Sequence, residues 1–212
     1  MNTQAPKSPD KESQLTLELL QAIDNKDDIS QRHLAQEMGV ALGLANSYLK
    51  RCVKKGLVKI KTAPANRYLY YLTPHGFAEK ARLTGEFLST SLALFRQSGD
   101  IYAEVFAELE QTESEAVVFV GISDLTEIAY LRALKSSIEV VAVLQPDAEV
   151  PSFFDLPVVA SLDELAGYDA VILTSLEQTH DLLGVLQSHL KPEQIIVPSM
   201  LLDMNYRSDA VV

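Results

Sequence analysis

The chain has 212 residues, 47% of them hydrophobic and 22% charged, the balance of a folded globular protein long enough for two small domains. No apolar run approaches the roughly 20 residues that a bilayer crossing needs, and the single cysteine, Cys52, excludes an internal disulfide and a cysteine-based zinc cluster and suits a reducing, cytoplasmic setting. The net charge of −11 speaks against nucleic acid until it is divided: up to Gly85 there are 13 Lys+Arg against 8 Asp+Glu, and beyond it 5 against 21.

Residues 1–12 are polar, without a signal-peptide core, and are expected to be a disordered lead-in. A helix is expected over Ser13–Asn25, with Leu15, Leu19, Leu20 and Ile23 on its apolar face and Asp27-Asp28 after it. Ser30 is a good N-cap for a second helix carrying Leu34, Ala35 and Met38, and Gly39 supplies the turn that ends it. A third helix runs from about Ala41 to Lys55 and stops at Gly56. Its two faces differ. Ala45, Leu49, Cys52 and Val53 face a core, while Gly43, Asn46, Ser47, Lys50 and Lys54 face outward.

A helix entering the major groove needs that second pattern: little bulk early, an amide for base edges, and cations toward the phosphates. Asn46 is the first choice for a base contact and Ser47 the second; Lys50, Arg51 and Lys54 suit phosphates. Between Lys50 and Arg67 lie seven cations and no acid, an electrostatic footprint for a polyanion. The periodicity then alternates, predicting strands over 57–61 and 67–72 joined by the turn-rich segment 62–66. A basic hairpin behind such a helix is a wing, which would lay Lys61 and Arg67 along the DNA.

Ser30-Gln31-Arg32-His33-Leu34-Ala35-Gln36-Glu37-Met38-Gly39-Val40 and Leu49-Lys50-Arg51-Cys52-Val53-Lys54-Lys55-Gly56-Leu57-Val58 resemble a MarR-type winged-helix regulator. With Tyr71-Leu72-Thr73-Pro74-His75-Gly76 and Lys80-Ala81-Arg82-Leu83-Thr84, the likeness extends to a subgroup associated with exopolysaccharide gene clusters and covers about residues 14 to 90. The resemblance implies a homodimer on a roughly palindromic site in double-stranded DNA, with control of surface-polysaccharide genes.

Residues 13–76 are thus expected as the DNA-binding domain and 77–112 as connecting, dimerising helices. Pro74 suits a helix start, and the helical pattern runs to about Gln97, where Ser98-Gly99-Asp100 is expected to interrupt it before a second helix through Ile101, Tyr102, Val105, Phe106 and Leu109.

Residues 113–212 alternate strand and helix: strands over 116–120, 139–144, 156–160 (an edge strand, since Pro157 lacks an N–H), 169–174 and 194–198, with helices over 125–135, 162–166 and 178–190. The overall class is α/β, a winged helix-turn-helix followed by a doubly wound, parallel, Rossmann-like sheet. Such sheets bind ligands at the carboxyl ends of their strands, here Gly121, Ser123, Asp124, Gln145, Thr174 and Ser175, which are the candidate locus for a small-molecule effector; the alternative is a ligand-free domain used for assembly. Where a dinucleotide binder shows G-x-G-x-x-G, this chain has Gly121, Ser123 and Thr126, with Asp124 close to where a pyrophosphate would sit. That pattern argues against NAD, and no cofactor is expected.

The histidines at 33, 75, 180 and 189 have no metal-ligand spacing, and no nucleophile motif is present. The expectation is a regulator that is not an enzyme. The rival reading is a nucleotide-sugar or coenzyme A-binding enzyme, or an inactive relative of one, with an appended winged helix for protein contacts.

Overall fold

The computed structural model describes residues 10–26, 29–63, 67–175 and 179–202, without the side chains of 63, 67 and 179–181. The chain is a mixed α/β protein that forms two compact units, residues 1–94 and 95–212. The expected lead-in lies almost wholly outside the described residues.

In the first unit, α1 (Lys11–Asn25) starts after Asp10, whose carboxylate accepts the amide of Ser13 at 2.6 Å. Helix α2 (Gln31–Glu37) starts after Ser30, whose hydroxyl accepts the amide of His33 at 3.1 Å. Helix α3 (Leu42–Lys54) buries Ala45, Tyr48, Leu49 and Cys52. Gly39 and Gly56 follow α2 and α3 at φ +61° and +71°, the left-handed conformation in which glycine ends a helix at little steric cost. Leu19, Leu20, Ile23, Leu34, Ala45, Leu49 and Tyr70 form the centre of this unit's core. Each large aliphatic among them contributes about 1.5–3 kcal/mol by leaving water.

Two antiparallel strands follow, β1 (Val58–Ala63) and β2 (Arg67–Leu72), paired from Val58↔Leu72 to Ala63↔Arg67. Residues 64–66 of the expected turn lie outside the described residues. Thr73 then fastens the ribbon to the next helix: its hydroxyl donates to the Gly56 carbonyl at 2.6 Å and accepts the Gly76 amide at 3.0 Å.

Helix α4 (Pro74–Gln111) is one continuous helix of 38 residues. The interruption expected at Ser98-Gly99-Asp100 does not occur. Ser98 is buried, and a Cβ on Gly99 would lie 2.2 Å from the Arg132 guanidinium. Glycine at 99 makes room for a neighbouring side chain and is no helix stop.

In the second unit, α4 continues through Tyr102, Val105, Phe106 and Leu109 into a core shared with the sheet. The strands are β3 (Ala116–Val120), β4 (Glu139–Leu144), β5 (Ser152–Phe153), β6 (Leu156–Val159), β7 (Ala170–Leu173) and β8 (Ile195–Ile196). Their order in the sheet is β5-β6-β4-β3-β7-β8, parallel except for β5, which runs antiparallel to β6. Strand β6 is therefore not the edge that Pro157 suggested; β5 covers it, with Pro157 opposite Ser152. Helix α5 (Asp124–Ala133) links β3 to β4, and α6 (Thr179–His189) precedes β8. The short helix expected over 162–166 is a single 3-10 turn, Leu162–Glu164, capped by Ser161. The chain leaves β3 toward β4 and β6 and returns to its other side at β7, so the switch point lies between β3 and β7.

Candidate nucleic-acid interface

Helix α3 carries its sequence-predicted residues on one outward face. Gly43, Ser47, Lys50 and Lys54 are exposed and Asn46 is half-buried. Arg51, one of the expected phosphate contacts, sits at the margin of that face. Its guanidinium is 3.3 Å from Glu12 of α1 and 5.1 Å from the Tyr48 ring centre. The Glu12 pair is exposed, so it contributes little and can exchange for a phosphate. Lys61 is exposed on β1; the side chain of Arg67, at the start of β2, is outside the described set.

Between α3, the start of α2 and β1 runs a groove of about 410 Å³, lined by Gln31, Asn46, Leu49, Lys50, Val53, Lys54 and Ile60. Two of these residues, Gln31 and Ile60, were not among the residues expected from the sequence. Gln31 hides behind its role as first residue of α2; its amide nitrogen donates to the Tyr70 hydroxyl at 3.0 Å. Ile60 is in register with buried Val58 on β1, yet it is 47% exposed. Within the groove, the side-chain oxygen of Asn46 is buried with no hydrogen-bond partner, alone in this among the described residues.

Cys52, on the core side of α3, is buried, and burial pushes its thiol up to about 11. At neutral pH it is a protonated packing group, far from the thiolate a redox sensor uses.

The second unit brings together five of the six expected effector residues. Gly121, at φ +91°, ends β3, and a Cβ there would lie 2.3 Å from Ser175. Ser123 donates to the Thr174 carbonyl at 2.5 Å, and both Thr174 and Thr126 donate to the Gly121 carbonyl, at 2.7 and 2.8 Å. Gln145 accepts the Ile122 amide at 3.0 Å. Asp124, the sixth, begins α5 and is exposed. The positions where a dinucleotide binder has its second and third glycines hold hydroxyls: Ser123 ties the β3 end to the β7 end, and Thr126 holds the Gly121 carbonyl at 2.8 Å. Among the described residues no group of side chains is arranged for a metal ion, and no helix is long and apolar enough to cross a membrane.

A family model described as winged helix-turn-helix DNA-binding matches residues 12–59. No curated protein matches the sequence. Among solved structures, the PcaV transcriptional regulator from Streptomyces coelicolor is similar at 20% identity, over 46% of this chain and 74% of its own, with a TM-score of 0.37. Human N-acetylserotonin methyltransferase, solved in complex with SAM, is similar at 13% identity, over 87% of this chain and 75% of its own, with a TM-score of 0.36. The N,N-8-amino-8-demethyl-D-riboflavin dimethyltransferase of Streptomyces davawensis is similar at 14% identity, over 88% and 77%, also at 0.36.

The expectation that the chain is not an enzyme is corrected by these matches, which run to methyltransferases over most of its length. The reasoning behind that expectation was too narrow. A missing nucleophile or metal motif excludes only reactions that need one, and transfer from a bound donor needs neither. The chain joins a winged helix-turn-helix, matched by the DNA-binding family model over residues 12–59, to a Rossmann-like parallel-sheet unit.

Proposed function

We propose that the protein is a cytoplasmic, homodimeric transcriptional regulator that binds double-stranded DNA through α3 and the β1–β2 wing. The observation that carries this reading is the outward face of α3, where small and amide residues give way to exposed cations with no acid among them. Ser47 and Asn46 would meet base edges, Lys50, Lys54 and Arg51 phosphates, and Lys61 and Arg67 the flanking backbone. One winged helix reads too few bases for useful specificity, which favours a dimer. Phe77, Leu88 and Leu92 form an exposed apolar stripe on one face of α4, and we assign the subunit contact to that stripe. Control of surface-polysaccharide genes rests on the sequence resemblance. The residues at the β3, β4 and β7 ends are the proposed effector locus.

The test is binding of the full chain to a random duplex library across a salt series. Affinity should fall linearly on logarithmic axes, and Lys50→Ala and Lys54→Ala should each weaken all sequences alike and reduce the slope by about 1. Absence of binding at low salt would remove the reading.

A further inference from the structure

The groove beside α3 holds two amides, and they differ in what they have left to offer. Gln31 is committed to Tyr70 through its nitrogen. Asn46 turns its oxygen into the protein, where nothing meets it. A buried acceptor without a partner is costly, so any surface that draws the Asn46 amide outward and satisfies it gains that cost back. The same groove presents Ile60, an exposed aliphatic side chain on a strand otherwise flanked by Lys59 and Lys61. Aliphatic surface at a DNA interface has one specific partner among the bases, the thymine 5-methyl group, and an asparagine amide matches adenine, accepting from N6 while donating to N7.

We propose that this groove reads one thymine–adenine pair, with Asn46 on the adenine edge and Ile60 against the thymine methyl. The inference rests on the DNA-binding reading above and goes beyond it by naming the base pair and the two side chains that select it. Lys50 and Lys54 line the groove as well. As ammonium groups they would favour guanine if they read a base, so a preference for G·C that depends on Lys50 is the competing outcome.

The experiment selects sequences from a random duplex library with the full-length protein and with Asn46→Ala, Ile60→Ala and Lys50→Ala. The selected duplex is then modified at the chosen pair, with 7-deazaadenine to remove N7 or uracil to remove the methyl. Asn46→Ala should lose about ten- to a hundred-fold of discrimination at one A·T pair, its folding being checked separately by circular dichroism and its urea midpoint. 7-Deazaadenine should weaken wild type but not Asn46→Ala, and uracil should weaken wild type but not Ile60→Ala. Unchanged base preference in Asn46→Ala, or a G·C preference lost with Lys50→Ala, overturns the inference and leaves DNA binding standing. Failure of wild type to bind any duplex overturns both.

Discussion

Two glycines of one helix separate conformational preference from space. A Cβ on Gly76 would lie 2.1 Å from the Leu57 carbonyl oxygen, whereas a Cβ on Gly85 meets nothing within 4 Å. Both are helical, so alanine improves the backbone term at each by about 0.5–1 kcal/mol. At Gly85 nothing opposes that gain, and Gly85→Ala should raise the urea midpoint of the full chain. At Gly76 the clash is with backbone that also accepts the Thr73 amide at 3.0 Å, and Gly76→Ala should cost about 1–3 kcal/mol net. Equal shifts for the two variants would refute the steric account.

Among the elements, β7 is held to β3 at its start by an exposed side chain. Asp169 accepts the amides of Glu115 at 2.7 Å and Ala116 at 3.0 Å, and these hydrogen bonds, Ala116 first, hold its carboxyl below the usual aspartate range. A carboxyl depressed by folding stabilises the fold above its unfolded pKa and loses that contribution as pH falls toward the folded value. Asp169→Asn should therefore lower the urea midpoint at pH 7, with the gap closing below about pH 4; an equal gap at both would show that the charge is not involved. The strand itself was legible because Ala170-Val171-Ile172-Leu173 is apolar throughout, as a strand buried on both faces must be. The two-residue β5 was not, because its only distinguishing act is to pair with β6. The Ser98-Gly99-Asp100 segment misled for a related reason: glycine can end a helix by local conformation, but Gly99 lies mid-helix with the guanidinium of Arg132, 33 positions away in the sequence, packed against it. On α3 the outward residues followed from periodicity alone, but the groove needed three elements to converge, and Gln31 and Ile60 acquire their place only in the fold.

For the molecule as a whole, charge and apolar surface divide the work. Residues up to Gly85 are net basic and the rest strongly acidic, so the acidic part adds repulsion to any approach to DNA and leaves attraction to the first unit. The exposed aliphatics of α4 are the surface assigned to a second copy. If the chain dimerises as proposed, Leu88→Glu with Leu92→Glu should make it monomeric in analytical ultracentrifugation, with unchanged helix content by circular dichroism. An unaltered sedimentation coefficient would place the subunit contact elsewhere. The hydrogen bonds at the β3 and β7 ends bear on how the two units answer to their surroundings. The residues that make them, Gly121, Ser123, Thr126 and Thr174, carry no charge and no group that titrates near neutrality, and three of their hydrogen bonds run from hydroxyl to carbonyl. Hydrogen bonds between uncharged groups respond weakly to ionic strength, which governs the proposed grip of α3 on a polyanion. If α3 binds DNA as proposed, a shift in salt that releases the DNA should leave these hydrogen bonds between the β3 and β7 ends in place.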